Sequence, residues 1–128
     1  MMPVKKKMIL VVEDEIDVLN FASRVLELQG YHALQAKDGS EGLRLAKENQ
    51  VALVLLDLRL HEQNGWSLLQ YIKAEPALSA IPVVMLTASA VLPQREKALG
   101  MGATDYLVKP LRATGLNKAV ASALRRKE

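Results

Sequence analysis

Apolar residues fall along this chain in two alternating rhythms. Three short runs carry no polar interruption: Met8-Ile-Leu-Val-Val12, Val51-Ala-Leu-Val-Leu-Leu56 ending at Asp57, and Val83-Val-Met-Leu86 ending at Thr87. Unbroken apolar runs of this length suit strands buried on both faces, as in a parallel sheet covered by helices. Tyr31 to Ala36 and Asp105 to Val108 read as two further short strands. Between the runs the spacing changes to that of amphipathic helices. Val18, Leu19, Ala22, Val25 and Leu26 recur through Ile16 to Gln29, and Gly30 supplies a stop. Ser40 can cap a helix that carries Leu43 and Ala46 and ends near Asn49. Leu68, Leu69 and Ile72 follow Gly65 and stop before Pro76. Ala88 to Leu99 predicts a weaker helix, with Pro93 tolerable only in its first turn, and Leu116, Ala119, Val120, Ala123 and Leu124 predict a closing one.

Five strands alternating with five helices predict an α/β fold, a doubly wound five-stranded parallel sheet in the order 2-1-3-4-5 with helices on both faces. The 128 residues hold no repeat or low-complexity linker, so residues 1–128 are expected to form one domain, with no effector domain after Arg126.

Composition excludes more than it selects. Without cysteine there is no disulfide framework and no thiolate metal site. No apolar run approaches the roughly 20 residues of a membrane span, and Met1 to Met8 lacks the apolar region of a signal peptide, so a cytoplasmic protein without membrane contact is expected. The net charge of +3 suggests nucleic acid until its location is considered. Lys5, Lys6, Lys7, Arg125, Arg126 and Lys127 are six of the seventeen bases, and the body between is left slightly acidic. With one Phe, one Trp and three Tyr there is little for base stacking, so no direct nucleic-acid contact is expected.

Candidate chemistry gathers at the strand ends. In a parallel sheet all carboxyl ends lie along one edge, where open α/β sheets bind ligands. Glu13 and Asp14 follow the first strand, Asp57 ends the third, Thr87 the fourth, and Lys109 follows the fifth. Each alone has an ordinary explanation as a cap, turn or surface residue. Five at successive strand ends are better explained by one site. Three converging carboxylates repel, so the site needs raised pKa values or a divalent cation, and an all-oxygen donor set selects Mg²⁺ or Mn²⁺.

These motifs resemble the receiver domain of two-component response regulators. The pieces are the acidic cluster of Val11-Val-Glu13-Asp14-Glu15, Asp57 with Gly65 eight residues on, Met85-Leu-Thr87-Ala88, and Asp105-Tyr106-Leu-Val-Lys109-Pro110. The resemblance covers essentially the whole chain and is similar to the single-domain chemotaxis regulator, whose flavodoxin-like strand order is the one expected above. It implies phosphorylation of Asp57 by a histidine kinase or phosphotransfer protein. It further implies Mg²⁺ (or Mn²⁺) held by Asp14, Asp57 and the backbone carbonyl of Arg59, with Glu13 reaching it through water. Lys109 and Thr87 would contact the phosphoryl oxygens, Tyr106 would turn inward as a switch, and the Lys109-Pro110 bond would be cis. Leu60-His61 replaces the family's usual Met-Pro, and Gln63 stands where another Met is common. His61, a lone loop histidine, is read as neither metal ligand nor relay residue.

Rival readings are weaker. A haloacid-dehalogenase-type phosphohydrolase wants a second Asp two residues after the nucleophile, where Arg59 stands, and a nucleotide-binding module wants glycines after the first strand. A phosphorylation-independent scaffold would normally have lost Asp57 or Lys109. The closing stretch Leu111 to Lys127 holds five bases and no acid, so a symmetric salt-bridged dimer is disfavoured. The expected state is a monomer that binds a different protein through the face of helix four, strand five and helix five, around Tyr106, Glu96 and Lys118.

Overall fold

A computed structural model describes residues 5–60, 64–88 and 92–127. His61 and Gln63 lie outside the described residues. Five strands, β1 (Met8–Val12), β2 (His32–Ala36), β3 (Val51–Asp57), β4 (Val83–Thr87) and β5 (Asp105–Val108), form one parallel sheet in the order β2-β1-β3-β4-β5. They alternate with α1 (Ile16–Leu28), α2 (Gly39–Glu48), α3 (Gly65–Ala74), α4 (Leu92–Gly100) and α5 (Ala113–Lys127). The fold class is the one expected from the apolar pattern, and the strand order is the expected one, which is also that of the family the motifs resemble.

Period-two alternation divides the core into two layers. Leu10, Val12, Val54, Leu56, Val83, Met85 and Tyr106 face one side, where Ala46 of α2, Leu68, Leu69 and Ile72 of α3, and Ala98 of α4 close over them. Ile9, Val11, Leu53, Leu55, Val84 and Leu86 face the other, under Leu19, Ala22 and Leu26 of α1 and Leu116, Val120 and Ala123 of α5. The central strands are apolar on both faces because both faces are covered. No helix among the described residues is long and apolar enough to cross a membrane.

Two helix starts differ from the sequence expectation. Asp38, not Ser40, caps α2: its Oδ1 accepts from the Glu41 N–H at 2.8 Å. A carboxylate there also complements the positive end of the helix dipole, and the helix opens one residue before Ser40. Ala88 lies outside helix α4, which is described over Leu92–Gly100, so Pro93 falls near the start of the described helix. Gly30 terminates α1 with a φ of +92°, in the left-handed region that favours glycine. Gly65 is required for a different reason. A Cβ there would collide with the Asp57 carbonyl oxygen and stand 2.7 Å from the Leu58 Cα, so the start of α3 can lie against the end of β3 only if residue 65 has no side chain. That close approach joins α3 directly to the strand that carries Asp57.

Candidate functional site

The registers decide which strand-end residues meet. Val12 lies opposite Leu56, Asp57 opposite Leu86, and Thr87 opposite Val108. Glu13 is therefore level with Asp57, while Thr87 and then Lys109 each stand one residue further along. Strand parity sorts them again. Asp57 continues the Leu53, Leu55 series toward the α1 and α5 side, whereas Thr87 continues the Val83, Met85 series toward the α3 and α4 side.

On the first side the charges crowd together. Glu13 is fully buried and Asp57 is 2% exposed. Lys109 Nζ lies 2.7 Å from Glu13 Oε1, 3.1 Å from Glu15 Oε1 and 3.4 Å from Asp57 Oδ2, so one ammonium serves three carboxylates. The contact to Glu13 Oε1 is an ion pair without hydrogen-bond alignment. Glu13 Oε2 accepts from the Glu15 N–H at 3.1 Å, wrapping the acidic turn around the buried carboxylate. Burial pushes the Glu13 carboxyl up to about 8, and contact with Asp57 adds to the rise, against the opposing pull of Lys109 and the Glu15 N–H. Burial acts to lower the Lys109 ammonium, but contacts with Glu13 and Glu15 outweigh it, and the net shift is upward.

One carboxylate oxygen each from Glu13, Asp14 and Asp57 lies within 4.8 Å of the others. This donor set fits a hard divalent cation: it is all oxygen, and two of its three carboxylates are buried while the third is half-buried. Arg59 belongs to the same turn, its N–H donating to Asp57 Oδ1 at 3.1 Å.

On the second side Thr87 is buried and its carbonyl accepts from the Lys109 N–H at 2.6 Å, so the strand ends carrying the hydroxyl and the ammonium are tied together. The Lys109-Pro110 peptide is cis. Tyr106, opposite Met85 in the sheet, is 7% exposed and donates its hydroxyl to Gln94 Oε1 at 3.3 Å, linking β5 to α4. Trp66 of α3 carries the Lys97 ammonium of α4 over its ring at 4.4 Å. Sequence reasoning brought Glu13, Asp14, Asp57, Thr87 and Lys109 to one edge. It missed Glu15 as a partner of Lys109, although the acidic run was a signal, and Gln94 as a partner of Tyr106, for which a polar residue on a weak helix gives none.

The site is thus a buried aspartate, an acidic turn and a lysine at the carboxyl edge of a parallel α/β sheet. Residues 9–121 match the response regulator receiver domain family, and the chain belongs to it. It is 37% identical to the "Probable transcriptional regulator ycf27" of Cyanophora paradoxa over 99% of this chain and 52% of the relative. It is 35% identical to the DNA-binding dual master transcriptional regulator RpaA of Synechocystis, over 92% of this chain and 49% of the relative. The chain thus spans about half the length of the curated relatives it matches. Among solved structures it resembles a CheY-like response regulator receiver domain protein from Methanospirillum hungatei, with a TM-score of 0.86, 28% identity, and coverage of 96% of this chain and 97% of that one.

Removing the shared cation should expose the balance of this cluster. Lys109→Met keeps an apolar stem but leaves Glu13 buried without a counter-charge, and should cost about 2 kcal/mol of stability in urea unfolding, softened because Glu13 can take a proton. Adding Glu13→Gln should recover part of the loss; strictly additive effects of the two changes would show that the pair is not coupled.

Proposed function

We propose that Asp57 is the phosphoacceptor of a two-component signalling step. The observation that carries this reading is the nearly buried Asp57 carboxylate, held between two further carboxylates and a lysine at the carboxyl edge of the sheet. As a carboxylate, Asp57 needs no deprotonation to attack phosphorus at neutral pH. Asp14, Asp57 and the Arg59 carbonyl, with Glu13 behind them, are the groups that would hold Mg²⁺ or Mn²⁺. Such an ion supplies charge neutralisation between the nucleophile and the incoming phosphoryl group. Lys109, already 3.4 Å from Asp57 Oδ2, supplies a second cation for the phosphoryl oxygens. The donor class is a phosphohistidine on a kinase or phosphotransfer protein, or a small acyl phosphate.

The protein is thereby a regulatory phosphoacceptor rather than an enzyme acting on a separate substrate. Incubation with acetyl phosphate should add one phosphoryl group by intact mass only when Mg²⁺ or Mn²⁺ is present, and Asp57→Asn should not be labelled. Full labelling of that variant, or labelling in excess chelator, would overturn the assignment.

The switch follows from the second half of the site. Thr87 stands beside Asp57 and on the same face as Tyr106, so its hydroxyl can report a new phosphoryl oxygen toward that ring. Thr87→Ala should still accept phosphate, yet the NMR shifts of Tyr106 should respond far less than in the parent. An equal response in both proteins would break the coupling.

The read-out surface lies on α4, β5 and α5, where Glu96, Val108, Arg112 and Lys118 are exposed and Arg126 is turned back to the Thr104 carbonyl at 3.1 Å. With exposed bases on α5 and few acids opposite them, this face favours a heterologous partner over self-pairing. Sedimentation with the phosphoryl mimic beryllofluoride should show a monomer; a tight symmetric dimer at micromolar concentration, absent without the mimic, would contradict this.

A further inference from the structure

Asn64 and Gly65 form the joint where α3 starts against the end of β3, and the pair carries a chemistry that none of the roles above uses. Of the four asparagines in the chain only Asn64 is followed by glycine. No side chain at residue 65 stands between its amide nitrogen and the carbonyl carbon of the Asn64 side chain, and Asn64 is exposed to water. In the fold three features keep these atoms from reacting. The Gly65 N–H donates to the Leu58 carbonyl at 2.8 Å, so that nitrogen holds its proton. Asn64 Oδ1 accepts from the Ser67 N–H at 2.8 Å, which ties the side-chain amide to the first turn of α3. A ψ of 150° at Asn64 leaves the Gly65 nitrogen out of line with the side-chain carbon.

We propose that Asn64–Gly65 is a latent deamidation site, locked while α3 rests on the end of β3 and released when that contact opens. On opening, the Gly65 N–H gives its proton to hydroxide and the nitrogen bonds to Asn64 Cγ. The bond from Cγ to the side-chain nitrogen breaks, and that nitrogen takes a proton from water and leaves as ammonia. One water then opens the resulting succinimide, and no oxidant or reductant takes part. Opening at Cγ gives an ordinary aspartyl residue. Opening at the main-chain carbonyl carbon gives an isoaspartyl residue, whose backbone runs through the side-chain carbon. The two products fit the joint differently. The aspartyl form keeps a cap oxygen for the Ser67 N–H, and its charge suits the positive end of α3. The isoaspartyl form lengthens the main chain by one carbon where even a Cβ on residue 65 would stand 2.7 Å from the Leu58 Cα, so it loses the close seat of α3 on β3.

Parent protein is incubated in mildly alkaline buffer, folded and in urea, and followed by intact mass and peptide mapping. Asp38-Gly39 can form isoaspartate without a change in mass, so the product is located in its own peptide. In urea, Asn64 should be the first asparagine to exchange its amide NH₂ for OH. Folded protein should convert at least about thirtyfold more slowly, the combined scale of one backbone hydrogen bond and one helix cap. Asn64→Ser, which keeps a capping oxygen, should remove this mass gain. After refolding, the aspartyl product should unfold at the parent's urea midpoint and the isoaspartyl product at a lower one. Equal rates in folded and unfolded protein would overturn the lock, and another asparagine reacting first in urea would overturn the site. Equal midpoints for the two products would overturn the loss of the α3 seat.

Discussion

One lysine ammonium holds the carboxyl edge of this sheet together. A fully buried Glu13 beside a nearly buried Asp57 is an arrangement that desolvation and mutual repulsion both oppose. Lys109 makes it tolerable by standing within ion-pair distance of both and of Glu15. Such a cluster is weak evidence for stability, since two or three charges withdrawn from water cost about as much as their attraction returns. It leaves one lysine ammonium facing three carboxylates.

The strand order makes that contact possible. Lys109 follows β5, which lies at the sheet edge, and reaches past β4 to acids that follow β1 and end β3. The registers bring each of the four strand ends to within a residue step of its neighbour's, and the 2.6 Å bond from the Lys109 N–H to the Thr87 carbonyl fastens the last two. Gly65 contributes from below by letting α3 start against the Asp57 carbonyl.

Parity then gives the site two halves with different characters. The α1 and α5 side gathers acids and their lysine, while the α3 and α4 side presents a hydroxyl, amides, an indole and Arg59 around open space. Asp57 sits at the boundary. Under the proposed phosphoacceptor role, a group added to it would meet charge on one side and, on the other, hydrogen-bonding groups next to Tyr106, whose hydroxyl is bonded to Gln94 of α4.

Much of this was legible in the chain. Unbroken apolar runs of this length suit strands covered on both faces, so Val51 to Leu56 and Val83 to Leu86 pointed to the fold class, and a polar residue directly after each run marked the edge where the charged and polar groups gather. Local chemistry near helix ends was less decisive: Asp38 and Ser40 are both good caps, and only the geometry of the turn selected Asp38. What the sequence could not determine is which charges touch. Glu15 and Lys109 are 94 residues apart, and Tyr106 meets Gln94 across an interface between a strand and a helix. Those pairings depend on register, parity and helix placement, which arise from packing the whole core, so only the tertiary structure decided them.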